Sequence, residues 1–409
     1  MEKLSYPKDK IQIVLAENIH PQAVDVFHEN GYTNIKTLKH ALSPDELRQI
    51  ASETHVLGIR SGTHLRKETF PHFTKLLTVG CFCIGTNQVD LHAAMVQGIP
   101  IFNDPHSSTR SVAEMTIGLI ISLLRDLYAK SNDAHAGRWH KFTEGSHEIR
   151  GKTLGIVGYG RIGSQVSILA ESLGMRVLYY DIEKKLSMGN AKSVPTLEEL
   201  ISHADVVTLH VPETKQTKNL IGKEQLKLFK KGGYLINTSR GNVVDIQALD
   251  EALESKKLKG AAVDVYPKEP EDSTVPFVNP LQRHPHVIMT PHIGGATVEA
   301  QESIAISVAQ KVIYFLDRGS TEGSPNFPQL SLSPNEQTHR ILHIHNNIPG
   351  MLSQINTKLA EKNINIIAQY LQTNAEIGYV VFDIQKAESK NLLKELQGIE
   401  GTIRARILY

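Results

Sequence analysis

Arg240, Glu269 and His292 are the residues of this chain whose types and surroundings best suit chemistry. Each follows an apolar run that reads as a strand, in a segment punctuated by glycine or proline. Arg240 lies in Asn237-Thr238-Ser239-Arg240-Gly241. A guanidinium there can grip a carboxylate through two parallel N–H bonds, and it stays charged at any working pH. Glu269 lies in Asp264-Val265-Tyr266-Pro267-Lys268-Glu269-Pro270, where two prolines fix the loop around it. His292 lies in Thr290-Pro291-His292-Ile293-Gly294-Gly295. An imidazole at a strand end can take or give a proton near neutral pH. A glutamate bonded to its other ring nitrogen would hold the tautomer and stabilise the imidazolium. Taken singly, each has a plainer reading: a surface arginine on a turn, a solvated glutamate, a strand-end histidine.

A second constellation raises the weight of the first. Gly158-Tyr159-Gly160-Arg161-Ile162-Gly163 follows the apolar run Leu154-Gly155-Ile156-Val157 and precedes a helical stretch, Ser164 to Leu173. A second strand, Arg176 to Tyr180, then ends at Asp181. Strand, glycine turn, helix, strand and acid together form the dinucleotide-binding order. Gly158 permits the tight turn, Gly160 lets the backbone approach a pyrophosphate, and Gly163 allows close helix–strand packing. Asp181 can accept a ribose 2′-hydroxyl and would repel a 2′-phosphate, which favours NAD over NADP, although Lys184 and Lys185 follow closely.

These residues need a scaffold, and the surrounding pattern supplies an α/β one. Strands at Ile11 to Leu15, His55 to Arg60, Leu76 to Gly80 and Ile99 to Asn103 alternate with helices such as Pro21 to Glu29, in a flavodoxin-like manner. A long apolar helix, Val112 to Leu127 within residues 111–130, leads to the fingerprint. Further strands at Asp205 to His210, Gly233 to Asn237, Gly260 to Asp264 and His286 to Thr290 complete a doubly wound sheet, and the three chemical segments follow strands of it. Thr297 to Leu316 reads as one long helix returning to the first domain. The expected division is therefore a discontinuous flavodoxin-like domain, 1–110 with 297–330, into which a Rossmann-type dinucleotide domain, 111–296, is inserted. Residues 319–337, rich in Gly, Ser, Pro and Asn, read as a linker. Residues 338–409 start again, with strands at Arg340 to His345, Ile364 to Leu371, Gly378 to Ile384 and Thr402 to Tyr409 and helices at Pro349 to Glu361 and Lys390 to Leu396. That order is ferredoxin-like.

Composition sets the outer bounds. The chain has 409 residues, 40% hydrophobic and 21% charged, with a formal net charge of +1. This suits a soluble protein of two or three domains and gives no bulk charge for nucleic acid or a membrane surface. No ligand cluster surrounds Cys81 and Cys83, so no metal is expected, and they read as small buried residues in a reducing compartment. The start of the chain lacks a signal-peptide core and the apolar helix Met115 to Leu124 is too short to span a bilayer, so a cytoplasmic location is expected. Gly378 to Phe382 offers aromatics without the basic flank of an RNA platform.

With their order Arg, Glu, His, the three segments resemble the D-isomer-specific 2-hydroxyacid dehydrogenase family, in the form that carries a C-terminal ACT domain. The resemblance runs end to end, through Arg60-Ser61-Gly62-Thr63-His64, Gly80 to Asp90, Ser108 to Glu114, and Asn326-Phe327-Pro328. It implies oxidation of 3-phospho-D-glycerate to 3-phosphohydroxypyruvate with NAD at the entry to L-serine synthesis, with feedback by L-serine and a side activity on 2-hydroxyglutarate. Another hydroxy acid as main substrate, and an NAD-sensing corepressor, are the alternatives; an ACT domain argues against the second.

It also implies roles. His292 takes the C2 hydroxyl proton, Glu269 orients His292, and Arg240 holds the substrate carboxylate. Arg161 and Ile162 meet the pyrophosphate and Asp181 the adenosine ribose. Thr238, Ser239, Arg240, Asp264, His292, Ile293, Gly294 and Gly295 line the cofactor site, with the Asp264 carboxylate near the nicotinamide amide. Arg60 is the leading candidate for the substrate phosphate, with Ser61, Lys39 and Lys141 behind it. Some members carry a second arginine where this chain has Gly62. His345, Asn347 and Asn365 match positions that ligate L-serine, and Ile348 stands where an arginine is frequent. Trp139, the single tryptophan, is core by burial statistics but an interface anchor by the resemblance. Self-association at that arm and at the ACT domain would together build a homotetramer.

Overall fold

The computed structural model describes residues 6–270, 275–335, 337–385 and 389–408, with backbone only at 389–391. Tyr409, expected to end the last strand, lies outside the described residues, as does Glu336 in the expected linker. Three sheets form. The first contains β1 (Ile13–Leu15), β2 (Ile35–Thr37), β3 (Val56–Ile59), β4 (Thr78–Cys81) and β5 (Ile101–Asn103). All pairs are parallel and the order is β2-β1-β3-β4-β5, the flavodoxin-like arrangement. β1, β3, β4 and β5 are buried along their length, which explains why they read as continuous apolar runs rather than alternating ones.

The second sheet holds β6 (Thr153–Val157), β7 (Arg176–Tyr180), β8 (Lys192–Ser193), β9 (Val206–Leu209), β10 (Gly233–Asn237), β11 (Leu258–Val263) and β12 (Val287–Met289). Its order, β12-β11-β10-β9-β6-β7-β8, reverses direction at β6 and β9. That switch point is where an open parallel sheet offers a ligand crevice. The third sheet is antiparallel: β13 (His339–Asn346), β14 (Ile366–Thr373), β15 (Ile377–Ile384) and β16 (Thr402–Leu408), ordered β14-β15-β13-β16. Two helices, Met351–Glu361 and Ser389–Gln397, complete the ferredoxin-like unit.

The chain divides into two compact units. One runs to Ser107 and resumes at Gln301; the other is Ser108–Ala300. The helix Val298–Arg318 covers the first sheet with Ile304, Val308 and Val312. The C-terminal module belongs to the same unit as the first sheet. Leu342, Ile344 and Tyr379 of the third sheet share a core with Met95, Phe327 and Leu330. His92 pairs with Glu376 at 2.8 Å, and Arg404 donates to the carbonyl of Leu76.

Two expectations are corrected here. The helix expected over 111–130 is two helices, Thr109–Arg125 and Leu127–His135. Asp126 breaks them in a left-handed conformation, φ +55°, which short polar side chains tolerate, and its carboxylate meets His286 Nδ1 at 3.0 Å. The stretch 319–335 is packed rather than an open linker. Thr321, Ser324, Asn326, Phe327 and Leu330 are buried. The Asn326 side chain accepts from the Ile101 N–H and donates to the carbonyls of Leu91 and Ile99, fastening the segment to β5.

Candidate active site

The second unit carries the glycine turn. Gly158 has φ +89°, and a Cβ there would lie 2.4 Å from the His210 carbonyl oxygen. At Gly163 a Cβ would lie 2.1 Å from the Gly158 carbonyl oxygen, so the helix Arg161–Ser172 can approach β6 only without a side chain. Gly160, by contrast, faces open space within 4 Å, with Arg161 exposed and Ile162 half-buried beside it. The Asp181 carboxylate at the end of β7 accepts the N–H groups of Tyr159 at 2.8 Å and Glu183 at 2.9 Å, which locks its orientation beside the turn. Sequence reasoning missed Ser108 and His210. The Oγ of Ser108, beside Gly295, and the Nδ1 of His210, whose backbone carbonyl abuts Gly158, are buried without a hydrogen-bond partner. Burial pushes the His210 imidazole down to about 3, so it stays neutral. An open glycine beside a held carboxylate, with orphaned polar atoms in two residues that touch the glycine segments, fits a dinucleotide.

The three chemical segments meet at the ends of β10, β11 and β12. His292 Nδ1 lies 2.9 Å and 3.1 Å from the two carboxylate oxygens of Glu269. A carboxylate only accepts, so Nδ1 carries the proton and Nε2 is left as the basic nitrogen. The Glu269 hydrogen bond raises the His292 pKa above its ordinary value; burial opposes this, and the charges of Glu269 and Asp264 support it. Burial alone would raise the Glu269 carboxyl, but the bond to His292, the His292 charge, the Tyr266 N–H and Arg240 outweigh it and hold it lower.

Asp264 is almost fully buried and builds the His292 loop. Its Oδ1 accepts from Thr290 Oγ1 at 2.6 Å and the Ile293 N–H at 2.9 Å; its Oδ2 accepts from the Gly294 N–H at 2.9 Å. His292 itself sits at φ +54° with its N–H on the Asp264 carbonyl. The Asp264 carboxylate, read from resemblance as a cofactor contact, is thus first of all the anchor of this turn. Gly241 abuts the Tyr266 backbone so closely that a Cβ would fall 1.9 Å from its carbonyl carbon, which welds the Arg240 loop to the Glu269 loop. Asn237 Nδ2 donates to the Arg240 carbonyl and its Oδ1 receives Ser239, while Thr238 meets Thr116. A cavity of about 1300 Å³ opens beside the pair, lined by Glu269, His292, Tyr266, Arg138, His140 and Phe142.

The other expected site residues fall in both units. Arg60, Ser61 and Lys39 belong to the first unit and Lys141 to the second. Trp139 is 86% exposed, which overturns its reading as core. His345 is buried with Nδ1 on the Asn346 carbonyl and Nε2 unpartnered, whereas Asn347 and Asn365 are exposed. Among the described residues, no cluster of three or more His, Cys, Asp or Glu could hold a metal, and no helix is long and apolar enough to cross a membrane.

Comparison with known proteins agrees with this geometry. Residues 117–294 match the D-isomer specific 2-hydroxyacid dehydrogenase NAD binding domain, and residues 341–404 match the AHAS small subunit-like ACT domain. The D-3-phosphoglycerate dehydrogenase of Haemophilus influenzae is 54% identical over 407 residues, covering 100% of this chain and 99% of the relative. The chain belongs to the NAD-dependent D-isomer specific 2-hydroxyacid dehydrogenase family. Another member, the Escherichia coli D-3-phosphoglycerate dehydrogenase, is 51% identical over 411 residues and is covered in full, as is this chain. Among solved structures of the family, D-lactate dehydrogenase from Aquifex aeolicus, complexed with NAD and lactic acid, aligns at TM-score 0.64 and 27% identity over 75% of this chain and 95% of its own. As a member of this dehydrogenase family, the chain is an oxidoreductase that uses NAD.

Proposed function

We propose that this dehydrogenase oxidises 3-phospho-D-glycerate to 3-phosphohydroxypyruvate, the step that commits carbon to L-serine. The observation that carries the reading is the full-length likeness to D-3-phosphoglycerate dehydrogenases, at 54% identity without a gap in domain content. The site chemistry is consistent with it. NAD, held along Gly158, Gly160, Arg161, Ile162, Gly163 and Asp181 and against Thr238, Ser239, Ile293, Gly294 and Gly295, supplies the hydride acceptor. His292 Nε2 takes the C2 hydroxyl proton. Glu269 keeps Nδ1 protonated and offsets the charge that forms on the ring. Arg240 grips the substrate carboxylate and polarises the developing carbonyl. Arg60, Ser61, Lys39 and Lys141 supply polar and positive groups for the phosphate. L-serine is proposed to bind at His345, Asn347 and Asn365 and to lower turnover or affinity. A homotetramer, a cytoplasmic location and a side activity on 2-hydroxyglutarate belong to the same reading.

The test is NADH formation from 3-phosphoglycerate with the product trapped, with and without L-serine. Turnover suppressed by serine supports the whole reading. Turnover indifferent to serine removes the regulatory part, and NAD binding without turnover on this acid moves the enzyme to another hydroxy acid.

Two further outcomes follow from the geometry. Oxidation requires neutral His292, and Glu269 raises its pKa. The rate should therefore rise with pH along a limb centred above 6.5, the ordinary histidine value. Glu269→Gln removes the charge that favours the imidazolium, so the limb should move to lower pH while the plateau rate falls. A limb that stays in place would detach Glu269 from the ring. Asp181→Ala should raise the KM for NAD by about 10- to 100-fold, the worth of a charged hydrogen bond, and narrow the preference over NADP. Equal KM ratios in variant and parent would take the ribose away from Asp181.

A further inference from the structure

Glu17 has no part in the chemistry above, yet it occupies a costly position with a full set of partners. It follows β1 at φ +61°, a left-handed conformation that side-chain-bearing residues rarely adopt. Its Oε1 accepts the N–H of Arg60 at 3.0 Å and of Thr63 at 2.9 Å, and its Oε2 accepts the N–H of Gly62 at 2.7 Å. One carboxylate thus holds three backbone donors of the loop that carries Arg60 and Ser61. Gln88 secures the other side of the same residue, donating from Nε2 to the Arg60 carbonyl at 2.6 Å.

The backbone of Glu17 serves the second cationic loop. Its N–H donates to the His40 carbonyl at 3.0 Å, and the N–H of Asn18 donates to the Leu38 carbonyl at 3.0 Å. Lys39 lies between those two acceptors. The buried hydroxyl of Thr63 closes the arrangement by accepting the Leu42 N–H at 2.9 Å. Arg60 and Lys39, far apart in sequence, are therefore set in one frame whose common member is Glu17. The same frame bears on residue 62. A Cβ there would lie 3.0 Å from Ala41 Cβ and 3.1 Å from Glu17 Oε2, so the position is tight for anything larger than glycine.

We propose that Glu17 is a positioning residue for the phosphate end of the substrate, preorganising the Arg60 and Lys39 loops as a single oxyanion-binding frame. The proposal rests on the reading of Arg60 as a phosphate contact. A carboxylate beside such a site would repel phosphate if its charge were free. Here three N–H dipoles point at it, so its field is turned into loop geometry.

The experiment measures steady-state kinetics of the full-length enzyme with 3-phosphoglycerate and NAD for Arg60→Ala, Glu17→Gly and the double variant. Glycine accepts the left-handed φ, so Glu17→Gly removes the carboxylate without adding backbone strain. Its KM for 3-phosphoglycerate is expected to rise about 10- to 100-fold, the scale of a small misplacement of binding groups, with the KM for NAD unchanged. The double variant should lose less than the two single losses combined, since without the guanidinium the frame has only Lys39 and Ser61 left to position. Glu17→Gln, which keeps the Oε1 acceptor and sets an amide N–H2 against the Gly62 N–H, should fall between, and it decides the matter if the glycine variant does not fold. An unchanged KM in the Glu17 variants, with Arg60→Ala impaired, overturns the proposal and leaves the phosphate reading standing. Losses that simply add in the double variant, or a rise in the NAD KM of similar size, also overturn it by showing a general structural role. An Arg60→Ala enzyme with unchanged KM removes the phosphate reading and the proposal together.

Discussion

His292→Ala is expected to lower kcat for hydroxy-acid oxidation by about 10²- to 10⁴-fold, the usual worth of a positioned general base. The size of the effect follows from how much structure is devoted to one ring. Asp264 holds the loop through three hydrogen bonds, the backbone at His292 is forced to φ +54°, and Glu269 accepts the hydrogen bond from the Nδ1–H. Nε2 is then the only basic nitrogen that the ring presents. Alanine removes that nitrogen and leaves the dinucleotide cradle of Gly158 to Gly163 intact, so the KM for NAD should stay within about threefold, less than one ordinary hydrogen bond is worth. His292→Gln tests the same point by keeping a polar side chain that cannot take the proton. Initial rates at saturating substrate decide it, and a loss smaller than about tenfold would mean that another group receives the proton.

Asp383→Ala is expected to destabilise the C-terminal module by about 3–5 kcal/mol, the cost of leaving a buried charge without its partner. The side chains of Arg340 and Asp383 are 1% and 2% exposed, and they pair through two bonds, Nε to Oδ1 at 2.7 Å and Nη2 to Oδ2 at 2.8 Å. The third arm of Arg340, Nη1, donates to the carbonyls of Arg318 and Ser333. Arg318 ends the long helix that covers the first sheet, so one guanidinium joins β13, β15 and that helix C-terminus, where a cation also meets the negative end of the helix dipole. Denaturant unfolding, with amide exchange of β13 and β15 as a local probe, measures the loss. The double replacement Arg340→Met with Asp383→Leu should recover much of it, because no unpaired charge remains. A single variant within about 1 kcal/mol of the parent, the worth of an exposed ion pair, would show that water reaches the pair.

Much of the fold and site was legible in the sequence because its signals were local. Gly158, Gly160 and Gly163 stand between two apolar strands, and Asp181 closes the second, so spacing alone named the ligand class. Arg240, Glu269 and His292 each follow a strand, and parallel strands bring their ends together. What stayed hidden was set by partners distant in the chain. Asp126 stops a helix that its neighbours would continue, and His286, which meets its carboxylate, is 160 positions away. Residues 319–335 have a linker's composition, but Asn326 and Thr321 use their polar groups to bind backbone, which composition cannot reveal. Glu17 looks like any surface acid until the Arg60 loop folds onto it. Ser108 stood out only as the first residue of the Ser108 to Glu114 segment and His210 only as a strand end; their signal is a buried polar atom without a partner, and only coordinates show that.

The most direct measurement is the mass of the reduced cofactor formed from 3-phospho-D-glycerate carrying deuterium at C2. The label should move to the nicotinamide in the parent enzyme, and almost no reduced cofactor should form with His292→Ala. Unlabelled reduced cofactor, or equal yields from both proteins, would contradict hydride transfer from C2 with His292 as the base.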